Sequence, residues 1–133
     1  MARYRILALD GGGIRGLVSA ILLQRLSAAP ELRGWLEQVD LLAGTSTGGL
    51  LALGIAKGFT LQTIRALYET QGARIFDDSW LDDLQDLGTL MGADYDIKHL
   101  ETILRDLFGT TTLAQLDYQV LIPTFDLDNQ SDE

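Results

Sequence analysis

The 133 residues suffice for one domain with its own core, and a 47% hydrophobic content is that of a globular chain. The absence of cysteine excludes disulfides, thiolate metal sites and cysteine nucleophiles, and a single histidine excludes multi-histidine metal sites. The net charge of −9 divides into +2 over residues 1–71 (seven Lys/Arg, five Asp/Glu) and −11 over residues 72–133 (three against fourteen), which argues against nucleic acid as a partner and against strong attraction to anionic membranes.

Tyr4 to Leu9 reads as a strand, with the apolar run Ile6-Leu7-Ala8-Leu9 typical of buried parallel sheets. That run is too short for the core of a signal peptide and meets Asp10 at once, so a cytoplasmic location is expected. The strand ends in Asp10-Gly11-Gly12-Gly13-Ile14-Arg15-Gly16. Leu17 to Ala29 reads as a helix stopped by Pro30.

A second strand around Val39–Ala43 leads into Gly44-Thr45-Ser46-Thr47-Gly48, and a helix follows from Thr47 to Ala56. A serine on so sharp a strand-to-helix turn takes strained backbone angles, and the residues two before and two after it must be small; Gly44 and Gly48 meet that demand. The turn exposes the Ser46 hydroxyl beside a helix N-terminus, where developing negative charge is favoured. The plainer reading is a Gly/Ser/Thr turn between buried elements. The charge-free run Leu41–Ala56 is sixteen residues, short of the roughly 20 that span a membrane, and fits a buried strand and helix.

Thr60 is placed to cap a helix from Leu61 to Gln71, with Leu61, Ile64, Leu67 and Tyr68 on one face and Gly72 closing it. Asp77–Met91 carries Trp80, Leu81, Leu84, Leu87 and Met91 at helical spacing, with Ser79 as its cap and acidic residues opposite, the pattern of a helix packed on its own domain. Asp96 would cap a further helix, Ile97–Phe108, ended by Gly109; Tyr118–Phe125 reads as a last strand, and Asp126–Glu133 as a frayed tail. Alternating strands and helices predict an α/β fold with an open, parallel-rich sheet and helices on both faces.

Acyl transfer needs a nucleophile, a proton acceptor and donors aimed at the oxyanion. Gly11, Gly12 and Gly13 follow a strand end, where backbone N–H groups without side chains reach a ligand. If the two strands are neighbours, this loop and Ser46 share one sheet edge. The same residues match G-x-G-x-x-G, the alternative being a dinucleotide-binding module. That reading expects an acidic residue at the end of the second strand, where Ala43-Gly44-Thr45-Ser46 stands; Asp40 is at the strand's beginning.

Together D-G-G-G-I-R-G and G-T-S-T-G-G resemble the motifs of the patatin-like phospholipases, lipid acyl hydrolases, and the resemblance runs from about Tyr4 to Phe125. It implies a patatin-like fold, Ser46 as nucleophile, Gly11, Gly12 and Gly13 as oxyanion hole, and Asp10, Arg15, Gly16, Gly44 and Gly48 as supporting motif, with Arg15 holding the loop or favouring a negative oxygen. It also implies a Ser–Asp dyad, no metal or organic cofactor, and a lipid ester substrate, with a membrane surface as one place to meet it. The family's aspartate comes late, in D-G-G or D-G-A, and the one D-G-G here is Asp10-Gly11-Gly12. Residues 1–133 therefore read as the front part of one such domain, truncated at the C-terminus, without the catalytic aspartate and inactive alone. Asp126, just after the last predicted strand, is the one in-chain candidate to replace that aspartate, the plainer reading being an ordinary strand-end carboxylate. His99, about 110° from the centre of its helix's apolar face, reads as a surface residue.

Overall fold

The computed structural model describes residues 3–76 and 93–124. In chain order the main elements are β1 (Ile6–Leu9), α1 (Gly16–Ala28), β2 (Leu41–Gly44), α2 (Thr47–Ala56), α3 (Leu61–Ile75), α4 (Ala93–Phe108) and β3 (Gln119–Leu121). The three strands form one open parallel sheet in the order β1-β2-β3, an α/β arrangement. Ile6 pairs with Leu41 and Leu41 with Gln119, and the register runs on to Leu9 opposite Gly44.

Alternation along the strands sorts their side chains. Leu9 and Leu42 are buried in the core, with Leu7 and Val120 packed at its margin, whereas Ile6 and Leu121 are more than half exposed on the other face. Helix α2 is apolar all round and lies over the sheet; Leu51, Ala52, Ile55 and Ala56 are buried on it. Helices α1 and α3 pack against each other, adding Ala20, Leu23, Ile64 and Tyr68 to the same core.

Local chemistry sets the ends. The Thr60 hydroxyl accepts the Thr63 N–H at 3.0 Å and so caps α3, as its position predicts. Gly72 does not close α3, which continues to Ile75. The reason is tertiary: a Cβ on Gly72 would lie 2.3 Å from Ile14 Cδ1, so the glycine admits the Ile14 side chain from the loop after β1. Asp96 lies inside α4 rather than at its cap, since the helix starts at Ala93. Strand β3 is shorter than its apolar run, spanning Gln119–Leu121. The stripe Asp77–Met91 and Asp126 lie outside the described residues.

Lys57, just past α2, fixes the far end of α4. Its ammonium donates to the carbonyls of Leu107 and Phe108 at 3.0 and 2.7 Å and stands 5.5 Å from the Phe108 ring centre. A cation is favoured there by the exposed carbonyls of the helix end.

Leu42 is fully buried where the central strand meets α2, so Leu42→Ala leaves a cavity bounded by the core. The expected cost is about 2–5 kcal/mol, read as a shift in the urea denaturation midpoint at constant slope.

Candidate active site

Strand β2 delivers Ser46. The residue has φ 53° and ψ −123°, and among the described residues it is the one non-glycine with positive φ. Such a backbone costs of order 1–3 kcal/mol and persists only where its surroundings hold it. Here they do. Immediately after Ser46 the N–H groups of Gly48 and Gly49 turn back to the carbonyls of Thr45 and Ser46 at 2.9 and 2.8 Å, closing the first turn of α2.

The two flanking glycines are required by contact. A Cβ on Gly44 would lie 2.2 Å from the Gly48 carbonyl oxygen, the clash expected across the turn. A Cβ on Gly48 would lie 2.1 Å from the Leu9 carbonyl oxygen and 2.8 Å from that of Asp10. Gly48 therefore faces the end of β1, so the serine turn is pressed against the root of the glycine loop.

That loop follows directly. The neighbouring strands end together, and Thr45 N–H donates to the Leu9 carbonyl at 3.3 Å. Gly11 lies alongside the serine: its Cβ position is 3.0 Å from the Thr45 carbonyl oxygen and 3.4 Å from Ser46 Cβ. Gly12 and Gly13 take φ of 149° and 56°, conformations costly for any residue with a side chain, and a short 3-10 turn then leads to Gly16 and α1. Arg15 folds back on the loop, its backbone N–H and its Nε donating to the Gly12 carbonyl at 3.1 and 3.3 Å. Asp10, Gly11 and Ser46 are exposed, so the serine and the loop meet at an open edge.

One contact was not legible in the sequence. Tyr68 of α3, 7% exposed, has its hydroxyl 2.5 Å from Thr47 Oγ1 and donates to the Thr47 carbonyl at 3.2 Å. Burial pushes its phenol above the ordinary value of 10.0, with the Thr47 hydrogen bond opposing. The one sequence signal was a tyrosine where Leu or Phe would fill an apolar helix face equally well.

Other candidates fall elsewhere. Asp40, at the opposite end of β2 from the glycine loop, accepts the Arg5 N–H at 2.7 Å. His99 falls on α4, and its side chain lies outside the described residues, as does Asp126.

The family model described as patatin-like phospholipase matches residues 7–132. The chain is 40% identical over 120 residues to a cGAMP-activated phospholipase of Pseudomonas aeruginosa, covering 90% of this chain and 35% of that protein. It is 35% identical over 138 residues to patatin-like protein 1 of Oryza sativa subsp. indica, covering 94% and 33%. Against an intracellular phospholipase A2 of Caenorhabditis elegans it is 34% identical over 123 residues, covering 91% and 10%. The chain thus spans about a third or less of the length of these relatives. No solved structure matches it. Among the described residues no helix is long and apolar enough to cross a membrane.

Two outcomes check the site. Ser46→Gly removes the positive-φ strain and Ser46→Ala keeps it, so in urea denaturation the glycine variant is expected to be more stable by about 1 kcal/mol; equal stabilities would mean an unstrained turn. The raised Tyr68 pKa means that the protonated phenol's contribution is complete below pH 10.0, the ordinary value, and is lost as pH rises through the higher folded value. Wild-type stability is therefore expected to fall relative to Tyr68→Phe only above pH 10.0, measured by denaturation across alkaline pH.

Proposed function

Because the chain belongs to the patatin-like phospholipase family, we propose that it carries the nucleophile and oxyanion loop of a serine lipid acyl hydrolase acting on carboxylic esters of lipids, with no cofactor. The observation that supports this best is the strained, exposed Ser46 lying against Gly11, with Gly12 and Gly13 beyond it.

Ser46 Oγ attacks the ester carbonyl carbon while its proton passes to a carboxylate. Negative charge moves to the carbonyl oxygen, where N–H groups of Gly11, Gly12 and Gly13 receive it; one such donor is worth about 2.7–4 kcal/mol in hydrolases. Collapse breaks the ester bond, the alcohol leaves with the proton, and an acyl-serine remains. Water, deprotonated by the same carboxylate, then releases the fatty acid and restores the Ser46 hydroxyl. Arg15, bonded to the Gly12 carbonyl, holds the loop.

The carboxylate is an aspartate outside residues 1–133, and the chain is the front part of one patatin-like domain. Two features support this. The chain covers 35% of the Pseudomonas relative, and the sheet presents an exposed apolar face at Ile6 and Leu121 on its two outer strands. A dinucleotide cradle on the same loop has less behind it: Ala43-Gly44-Thr45-Ser46 occupies the strand end where a ribose-binding acid would stand, and Asp40 is taken by the Arg5 amide.

The test is labelling with a fluorophosphonate, read by intact mass and peptide mapping, for this chain and for a longer form carrying the natural downstream sequence. Label on Ser46 in the longer form, absent from Ser46→Ala and weak or absent in the 133-residue chain, is the expected result. Because the Pseudomonas relative is activated by cGAMP, the reaction is run with and without it. Folded proteins unlabelled at both lengths, with and without cGAMP, would overturn the reading; saturable NAD binding surviving Ser46→Ala would favour the dinucleotide module.

A further inference from the structure

We propose that Tyr68 is a positioning residue for the nucleophile, locking the Ser46 turn to the start of α1 through Thr47; this rests on the reading of Ser46 given above. Thr47 is the residue after the serine and the first of α2, 1% exposed. The Tyr68 hydroxyl donates to the Thr47 carbonyl, which leaves the Thr47 hydroxyl to donate to the phenolic oxygen, so the one phenol both gives and accepts a hydrogen bond.

The third party is Gly16. A Cβ there would lie 2.3 Å from Thr47 Oγ1 and 2.8 Å from the Tyr68 hydroxyl, so the last residue of the glycine motif seats directly on the Thr47–Tyr68 pair. One hydroxyl from α3 thereby touches both halves of the site. The bonded carbonyl belongs to the Thr47–Gly48 peptide and the bonded hydroxyl to the Thr47 side chain, so the residue that directly follows the serine is held at two points. That hold sets the Thr47 N–H, a first-position helix amide with no acceptor within its own helix and next to the nucleophile, where such turns place an oxyanion donor.

Packing alone does not explain the hydroxyl. The Tyr68 ring stacks on Phe76 with centroids 5.5 Å apart, and a phenylalanine would keep that stack and fill the same space. Burying an O–H is unfavourable unless it is bonded, and here both bonds go to the residue beside the nucleophile.

Tyr68→Phe in the longer form is expected to slow phosphonate labelling of Ser46 and kcat for ester hydrolysis about tenfold, the scale of a sub-ångström misplacement, with KM changed less than twofold. Thr47→Val should do the same, and the double variant should be no slower than either single one. Thr47→Ser, which keeps the hydroxyl, should restore the wild-type rate and serves as the readout should Tyr68→Phe fail to fold. A wild-type rate in folded Tyr68→Phe or in Thr47→Val would overturn the inference while leaving Ser46 as nucleophile. A rate loss that follows only the unfolded fraction, or a slow Thr47→Ser, would reduce Tyr68 to a structural role. No label on wild-type Ser46 would remove both readings together.

Discussion

Backbone against backbone, without side chains between, is the constraint on which the rest depends. The first turn of α2 rests on the last residues of β1 at Gly48, where one added carbon would overlap the Leu9 carbonyl. Parallel pairing of β1 with β2 brings the two strand ends level, and the bond from Thr45 N–H to Leu9 joins them. Given that closeness, the loop leaving β1 has nowhere to run except past Ser46. The pairing of an exposed serine with a glycine-rich backbone is thus a consequence of strand register and two missing side chains.

Holding a non-glycine residue at φ 53° has a cost, of order 1–3 kcal/mol, that the core must exceed. Burial of one leucine side chain contributes about 1.5–3 kcal/mol, and α2 alone buries Leu51 and Ile55 besides two alanines. The strain is therefore affordable at the N-terminus of this helix because the helix is apolar on all sides. A surface helix with a single apolar stripe would hold the same turn less firmly.

Polar groups enter this core sparingly. Thr47 is the buried polar residue of the core region, and among the described residues no buried side-chain nitrogen or oxygen lacks a partner. Its partner comes from α3, a helix whose Thr60 cap and packing on α1 fix where Tyr68 stands. Lys57 plays the corresponding part at the other end of α2, holding the last carbonyls of α4. Each end of the buried helix is thus tied by a pair of hydrogen bonds to a different helix.

Local chemistry by itself determined the tight serine turn, the glycine loop, the Thr60 cap and the order of strands and helices, because each depends on residues within a few positions of one another. Two glycines flanking Ser46 signal a tight turn wherever they occur, and an apolar run without charges signals burial. Tertiary structure decided what those residues face. Gly48 is small for the sake of Leu9, thirty-nine positions earlier, and Gly72 sits inside a helix, where its sequence looked like an ending, because Ile14 fills the space its side chain would need. Tyr68 read as one more apolar position of α3 until its hydroxyl met Thr47. Periodicity reports which face of a helix is buried, and it is blind to which polar atom waits on the other side.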